Sequence, residues 1–138
     1  MAAGAVAQII ELLGEPRGIP IRMTIGNATA VPKGTLMYVT DPRTVAATGA
    51  ITNGFIGIAA EEHVASVGVT NMTVYTKGIF SIEAGAAIAV GARVGTGAEA
   101  NKVITVDSTE LLHGVVGTAL EAAAGDAEPI AVLVGGYY

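Results

Sequence analysis

The side chains of this 138-residue chain that could take part in chemistry lie mostly around its two histidines. The first group is Glu61-Glu62-His63, whose carboxylates and imidazole could bind a metal ion or exchange protons. Successive side chains of a strand point to opposite faces, so Glu61 and His63 could converge but Glu62 could not. A metal site needs three or four convergent ligands. The pattern therefore favours a solvated loop after a strand, and we predict no metal.

The second group surrounds His113, which follows Ser108-Thr109-Glu110. Nucleophilic catalysis needs a nucleophile, a base and an orienting group within hydrogen-bond reach of one another. No Gly-x-Ser-x-Gly turn accompanies this histidine, so a turn residue is the better interpretation. We predict that no residue of the chain is catalytic. A single pocket that joined Glu61, His63 and His113 would instead indicate an enzyme.

One glycine-rich segment resembles a cofactor-binding loop in its letters. Residues 95–100 (GTGAEA) match the looser dinucleotide fingerprint. That fingerprint works only where a helix begins at the second glycine, because the helix N-terminus then faces the pyrophosphate. Here residues 101–106 (NKVITV) read as a strand. A loop or hairpin tip is the better interpretation, and we predict no cofactor.

The composition suggests a chain that is partly covered by other subunits. Charged residues make up 14% of it, compared with about 25% in an ordinary soluble domain. Apolar residues make up 51% although aromatic residues make up only 4%. A chain with so little charge has difficulty forming a fully solvated surface, so we expect self-association. The alternative is a monomer covered by Thr, Ser, Gly and Ala.

The charge pattern argues against two classes of partner. The formal net charge is −5, and the seven basic residues are scattered along the chain. Binding to phosphates needs clustered Lys and Arg, so we predict no direct contact with nucleic acid. No run of 18 strongly apolar residues is present, so we predict no membrane partner.

Two stretches of the chain occur almost twice. Residues 54–61 (GFIGIAAE) match residues 114–121 (GVVGTALE), and residues 73–80 match residues 131–138 with a spacing that differs by two. A repeat of this length indicates one supersecondary unit used twice. We therefore predict two parts: residues 1–29 form an arm and a first strand, and residues 30–138 form a duplicated β domain with repeat units at about 31–80 and 88–138.

The local patterns predict an all-β fold, a compact barrel or sandwich built from two pseudo-repeated strand modules. Short apolar strands alternate with Gly, Asn-Gly and Asp-Pro turns along most of the chain. Gly57 and Gly117 lie at the same place in each copy, inside a strand. Such a glycine usually marks a bulge or a close backbone crossing. Two crossings related by duplication fit a small barrel closed by pseudo-symmetric halves.

The N-terminal segment allows two readings. Residues 5–14 have apolar side chains at helical spacing, so they form either a short helix or an extended arm. In both cases the apolar stripe needs a partner. The arm and first strand are therefore our candidates for contact with a neighbouring subunit or a larger assembly. The candidate contact residues are Ile9, Ile10, Leu12, Leu13, Arg17, Ile19, Ile21 and Arg22.

The order of glycine and small apolar motifs resembles a known family. The motifs are residues 31–34 (VPKG), 55–62 (FIGIAAEE), 74–80 (VYTKGIF), 88–94 (IAVGARV), 116–121 (VGTALE) and 130–134 (IAVLV). Over residues 30–134 this order is similar to that of the small capsid decoration, or cement, proteins of tailed viruses of bacteria and archaea. The resemblance implies a β-rich structural protein without catalytic residues, cofactor or metal. It also implies homotrimers on the outer capsid surface of the virion that bridge major capsid protein subunits.

An alternative is a β-module of a virion or cell surface that binds glycans or a host surface. That function would need a concave face with exposed aromatic residues. If the chain is a capsid decoration protein, we expect deletion of residues 1–16 to weaken its attachment to the capsid while the β core stays folded.

Overall fold

The computed structural model describes residues 4–12, 20–49, 54–97, 99–106 and 114–135. Every regular element in these ranges is a strand, so the predicted all-β class is confirmed. No helix in this part of the chain is long and apolar enough to cross a membrane. The strands are β1 (Gln8–Leu12), β2 (Ile21–Thr24), β3 (Leu36–Asp41), β4 (Thr44–Ala47), β5 (Phe55–Ala59), β6 (Asn71–Tyr75), β7 (Gly78–Ala84), β8 (Arg93–Thr96), β9 (Lys102–Thr105), β10 (Val115–Ala119) and β11 (Pro129–Val134).

Strands β2 to β6 close a barrel, here called barrel 1. Their order is β2-β4-β3-β5-β6, and β6 returns to pair antiparallel with β2. The β2–β4 pair is parallel. Alternate side chains point inward and form a core of mostly aliphatic and methionine residues. These are Met23, Ile25, Val31, Met37, Val45, Ala59, Met72 and Val74.

Strands β7 to β11 repeat the same set of pairings and form barrel 2. Their order is β7-β11-β10-β8-β9, and a parallel pairing of β7 with β9 closes it. Each copy of the module thus closes its own barrel, whereas the pattern had suggested one barrel made from two halves. The reason is that the last strand of each copy pairs with the first strand of that copy. The strand ladders of each copy therefore close on themselves.

Gly57 and Gly117 have the role that their repeat predicted. A Cβ on Gly57 would collide with the carbonyl oxygen of Tyr75, and one on Gly117 would collide with that of Leu133. The β3–β5 and β8–β10 ladders both shift register next to these glycines. A β-bulge and a close backbone crossing therefore occur together in each barrel, which strengthens the local twist.

The N-terminal arm is extended, so the helical alternative is not adopted. Strand β1 pairs antiparallel with β7 and adds a sixth strand to the sheet of barrel 2. The backbone N–H of Gly4 donates to Ala100 O at 2.9 Å, and that of Ala7 donates to Gly34 O at 2.7 Å. An exposed strand edge offers unpaired backbone groups, and the arm satisfies part of the β7 edge.

The two barrels share one apolar core cluster. Leu36 and Ile58 of barrel 1 join the cluster of barrel 2, which includes Phe80, and Ala7 of the arm is buried there too. The backbone N–H of Leu36 donates to Asn101 Oδ1 at 3.0 Å in the buried contact between the barrels. The arm and both barrels therefore pack as a single body.

Candidate docking surfaces

The candidate acid–base group around His63 does not converge. His63 is only 3% exposed, and its ring nitrogens lie 2.6 Å from Thr29 O and 2.7 Å from Val69 O. Glu61 points elsewhere, because its carboxylate accepts from the Thr73 hydroxyl at 2.7 Å. The sequence pattern favoured a solvated loop at this position. The histidine is instead buried between two loops. Its partners are backbone carbonyl groups, so its role here is to hold the loops together.

The other chemical motifs also lack a site in the described residues. Gly95 and Thr96 belong to strand β8, so the glycine-rich segment continues a strand instead of opening a helix. No group of three or more His, Cys, Asp or Glu side chains in the described ranges could hold a metal ion. His113 lies outside those ranges.

One ion cluster in barrel 2 is centred on a buried lysine and extends to the surface. Lys102 Nζ lies 2.8 Å from Asp126 Oδ1 and 3.3 Å from Glu99 Oε2, and the lysine side chain is only 6% exposed. The hydrogen bond to Asp126 is the main cause that raises the pKa of Lys102. The cluster ties the β8–β9 connection to the β10–β11 loop, and its ammonium group is already paired.

The candidate contact residues of the arm are distributed between exposed and half-buried positions. Ile9 is 40% exposed and Ile10 is 53% exposed, whereas Leu12 is half-buried against the core of barrel 2. In the ladder with β7, Ile9 pairs with Phe80 and Glu11 pairs with Ile79. Ile10 is thus the extra residue of a β-bulge, which turns its side chain away from the sheet.

The two other candidates that the structure describes lie on barrel 1 and not on the arm. Ile21 and Arg22 lie on β2 of barrel 1. Ile21 is half-buried against that barrel's core, and the Arg22 guanidinium donates to Asn71 Oδ1 at 2.6 Å on the surface. Leu13, Arg17 and Ile19 lie outside the described residues.

A groove runs between the arm and the two barrels. It has a volume of about 410 Å³ and is lined by the arm, by the β2–β3 connection, by the end of β5 and by Phe80 of β7. Ile9 and Lys33 both line this groove, and both residues are exposed.

A second apolar surface was not singled out from the sequence. It consists of residues 26–30 and 64–70, here called the loop pair, at one end of barrel 1. Val64 is 53% exposed, Val67 is 59% exposed and Val69 is 45% exposed. The signal that could have found it is the two-residue difference in repeat spacing, which places an insertion in this part of the first copy.

The described aromatic residues do not form an exposed face of the kind that glycan binding needs. Tyr38, Phe55 and Tyr75 are half-buried, and Phe80 is fully buried. The rings of Tyr75 and Phe80 pack with centroids 6.1 Å apart. Tyr137 and Tyr138 lie outside the described residues.

Two of the comparisons with known proteins found similar proteins. A family model described as "phage cement protein" matches residues 16–135. Among solved structures, the head fiber gp8.5 N base of bacteriophage phi29 is similar, with a TM-score of 0.56 and 17% sequence identity. That match covers 85% of this chain and 95% of the other chain, and at this identity it shows a shared fold. The search of curated proteins found no match.

Proposed function

The chain belongs to the phage cement protein family. We propose that it decorates the outer surface of an icosahedral capsid and bridges major capsid protein subunits. Membership makes it a capsid-associated structural component of the virion. The observation that carries the proposal is the extent of the match, since residues 16–135 include both barrels. The proposed role is mechanical and involves no catalysis.

The proposed assembly is a homotrimer. Two features support self-association: the low charged fraction of 14% and the exposed isoleucines of the arm. Contacts repeated by symmetry strengthen attachment, because tethered sites bind with an avidity well above that of each site alone. Sedimentation velocity should give the mass of three chains, and a monomer at micromolar concentration would contradict this part of the proposal.

The proposed contact surface includes the arm, with Ile10 as its central residue. A large apolar side chain at a bulge on an edge strand is exposed to solvent and available to a neighbour. Deletion of residues 1–16 is a blunt test, because it would also remove β1 and the buried Ala7. A point substitution at Ile10 separates attachment from folding.

The test uses capsids of the virus purified without this chain. We expect the chain to bind them saturably in a co-sedimentation assay and to raise the temperature at which they break open. Ile10→Asp should weaken binding at least tenfold, because it places a charge in an apolar contact. Val39→Asp is the matched control, since Val39 is 39% exposed and lies on β3, which does not pair with the arm strand. Failure of the unaltered chain to bind would refute the proposed function.

A further inference from the structure

The two barrels can be aligned residue by residue from their strand pairing. In each barrel one antiparallel ladder ends at a defined pair, and one isolated bridge follows. The ladder-end pairs are Thr24–Asn71 in barrel 1 and Glu83–Pro129 in barrel 2, and the bridges are Val31–His63 and Ile88–Ala123. Between these fixed points barrel 1 has residues 25–30 and 64–70, whereas barrel 2 has residues 84–87 and 124–128. Each connection of barrel 1 is therefore two residues longer.

The two longer connections are fastened to each other. The backbone N–H of Ser66 donates to Asn27 O at 2.7 Å, and that of Gly68 donates to Asn27 Oδ1 at 2.8 Å. The buried ring of His63 contacts a carbonyl group on each connection. The equivalent residue in barrel 2 is Ala123, which has no such side chain. The extra residues thus form one ordered projection that barrel 2 lacks.

The projection displays three large apolar side chains on its surface. Val64, Val67 and Val69 are each about half exposed, although the backbone that carries them is held by hydrogen bonds. In barrel 2 the matching loop carries acidic residues with internal partners. Asp126 pairs with Lys102, and the Glu128 carboxylate accepts from the backbone N–H of Ala124. The loop of barrel 2 therefore stabilises its own barrel, whereas the valines of barrel 1 face outward.

The two barrels also differ in charge: barrel 1 is nearly neutral, and barrel 2 is acidic. Residues 26–30 and 64–70 contain no ionisable side chain. Barrel 1 (residues 20–76) has three basic and three acidic residues, whereas residues 78–135 have two basic and seven acidic residues. Barrel 2 is thus suited to face solvent, because like charges keep its surfaces from associating. The loop pair is the neutral, apolar end of the molecule.

We propose that the loop pair of barrel 1 docks on an uncharged apolar patch of the capsid shell. This inference rests on the proposed function and specifies which end of the molecule meets the shell. Removal of three valines from water favours docking, and no charged group of the loop pair must be desolvated.

The size of the surface favours a shell over a second copy of the chain as the occupant. A stable pairwise interface buries roughly 800 Å² on each partner, and three half-exposed valines supply far less. A contact this small becomes effective only when several act at once, as they do when an oligomer meets a repeating lattice.

The decisive variant carries Val64→Thr, Val67→Thr and Val69→Thr together. Threonine keeps the branched shape and replaces one methyl group with a hydroxyl, so exposed positions should tolerate it in the folded chain. Co-sedimentation with capsids purified without this chain should show an affinity at least tenfold lower. Val90→Thr is the matched control, since Val90 is 66% exposed on barrel 2, and its affinity should remain within twofold of that of the unaltered chain.

A second variant replaces residues 64–70 with the sequence of residues 124–128, which is the loop of the other copy. It should lose affinity to the same extent as the triple variant while its thermal unfolding stays cooperative. Binding by both variants at the unaltered affinity would overturn the inference and leave the proposed function standing. A change of oligomeric state in the triple variant, with capsid binding per oligomer unchanged, would identify the loop pair as a self-contact and would also overturn it. If the unaltered chain does not bind capsids, the proposed function itself is refuted.

Discussion

The two copies differ at the position of the candidate acid–base histidine. His63 corresponds to Ala123, and both form the same backbone bridge. The histidine ring additionally contacts Thr29 O and Val69 O. Among the described residues the hydrogen-bond partners of this side chain are backbone carbonyl groups, so it acts here as a structural link.

Gly57 and Gly117 have not diverged, and steric exclusion explains why. We expect Gly117→Ala to lower the free energy of unfolding by about 1–3 kcal/mol or more, because the new Cβ would force the Leu133 carbonyl group away. Chemical denaturation measures the change. Gly125→Ala is the control, since a Cβ at Gly125 meets nothing within 4 Å. Equal stability of the two variants would show that the close crossing is not tight.

At the scale of elements, the two barrels use the same connection differently. In barrel 1 the β5–β6 connection belongs to the loop pair and faces outward. In barrel 2 the β10–β11 connection supplies Asp126 to the buried Lys102 at the start of β9. The strand frameworks are equivalent, so the difference lies in loop length and charge. Loops tolerate such changes because few buried contacts depend on them.

The ion cluster predicts a stability change at alkaline pH. The pKa of Lys102 is raised, so its stabilising effect is fully present below its ordinary pKa of 10.5 and is lost as pH rises through the higher pKa of the folded state. We expect Lys102→Met to lower Tm at pH 8. The gap between the two proteins should shrink only above pH 10.5.

Calorimetry across that pH range tests the prediction, with Lys33→Met as the control because Lys33 is exposed. The control should leave Tm nearly unchanged at every pH. A gap for Lys102→Met that closes near neutral pH would assign the effect to another group.

At the scale of the whole molecule, the shared core makes the arm and both barrels one packing unit. Leu36 and Ile58 contribute to the same cluster as Phe80, and the arm covers part of the seam. A rigid connection between the barrels matters for the proposed function, because a contact at one end can resist force only if the other end moves with it.

We therefore expect a single cooperative unfolding transition. Asn101→Gly should lower the free energy of unfolding by about 1–3 kcal/mol, because the buried N–H of Leu36 loses its acceptor. Glycine retains the left-handed backbone at this position, where φ is 63°. Calorimetry measures both effects, and two separate transitions in the unaltered chain would refute the single packing unit.

The all-β class, the repeated strand modules and the special role of Gly57 and Gly117 were readable from local patterns. Alternating apolar residues define one face of a strand, and turn residues mark where it ends. A glycine repeated inside two strands indicates a backbone constraint rather than chemistry. These features depend on residues close together in the chain, so they need no knowledge of the fold.

Tertiary structure alone decided that each copy closes its own barrel, that β1 joins β7, and that His63 is buried between two loops. Each depends on groups far apart in sequence, such as Thr29 and His63, and no local pattern encodes which distant backbone groups will meet. Hydrogen-bond satisfaction and close packing select those pairings among many with similar local preference. The outward-facing valines of the loop pair became visible in the same way, because exposure is a property of the packed molecule.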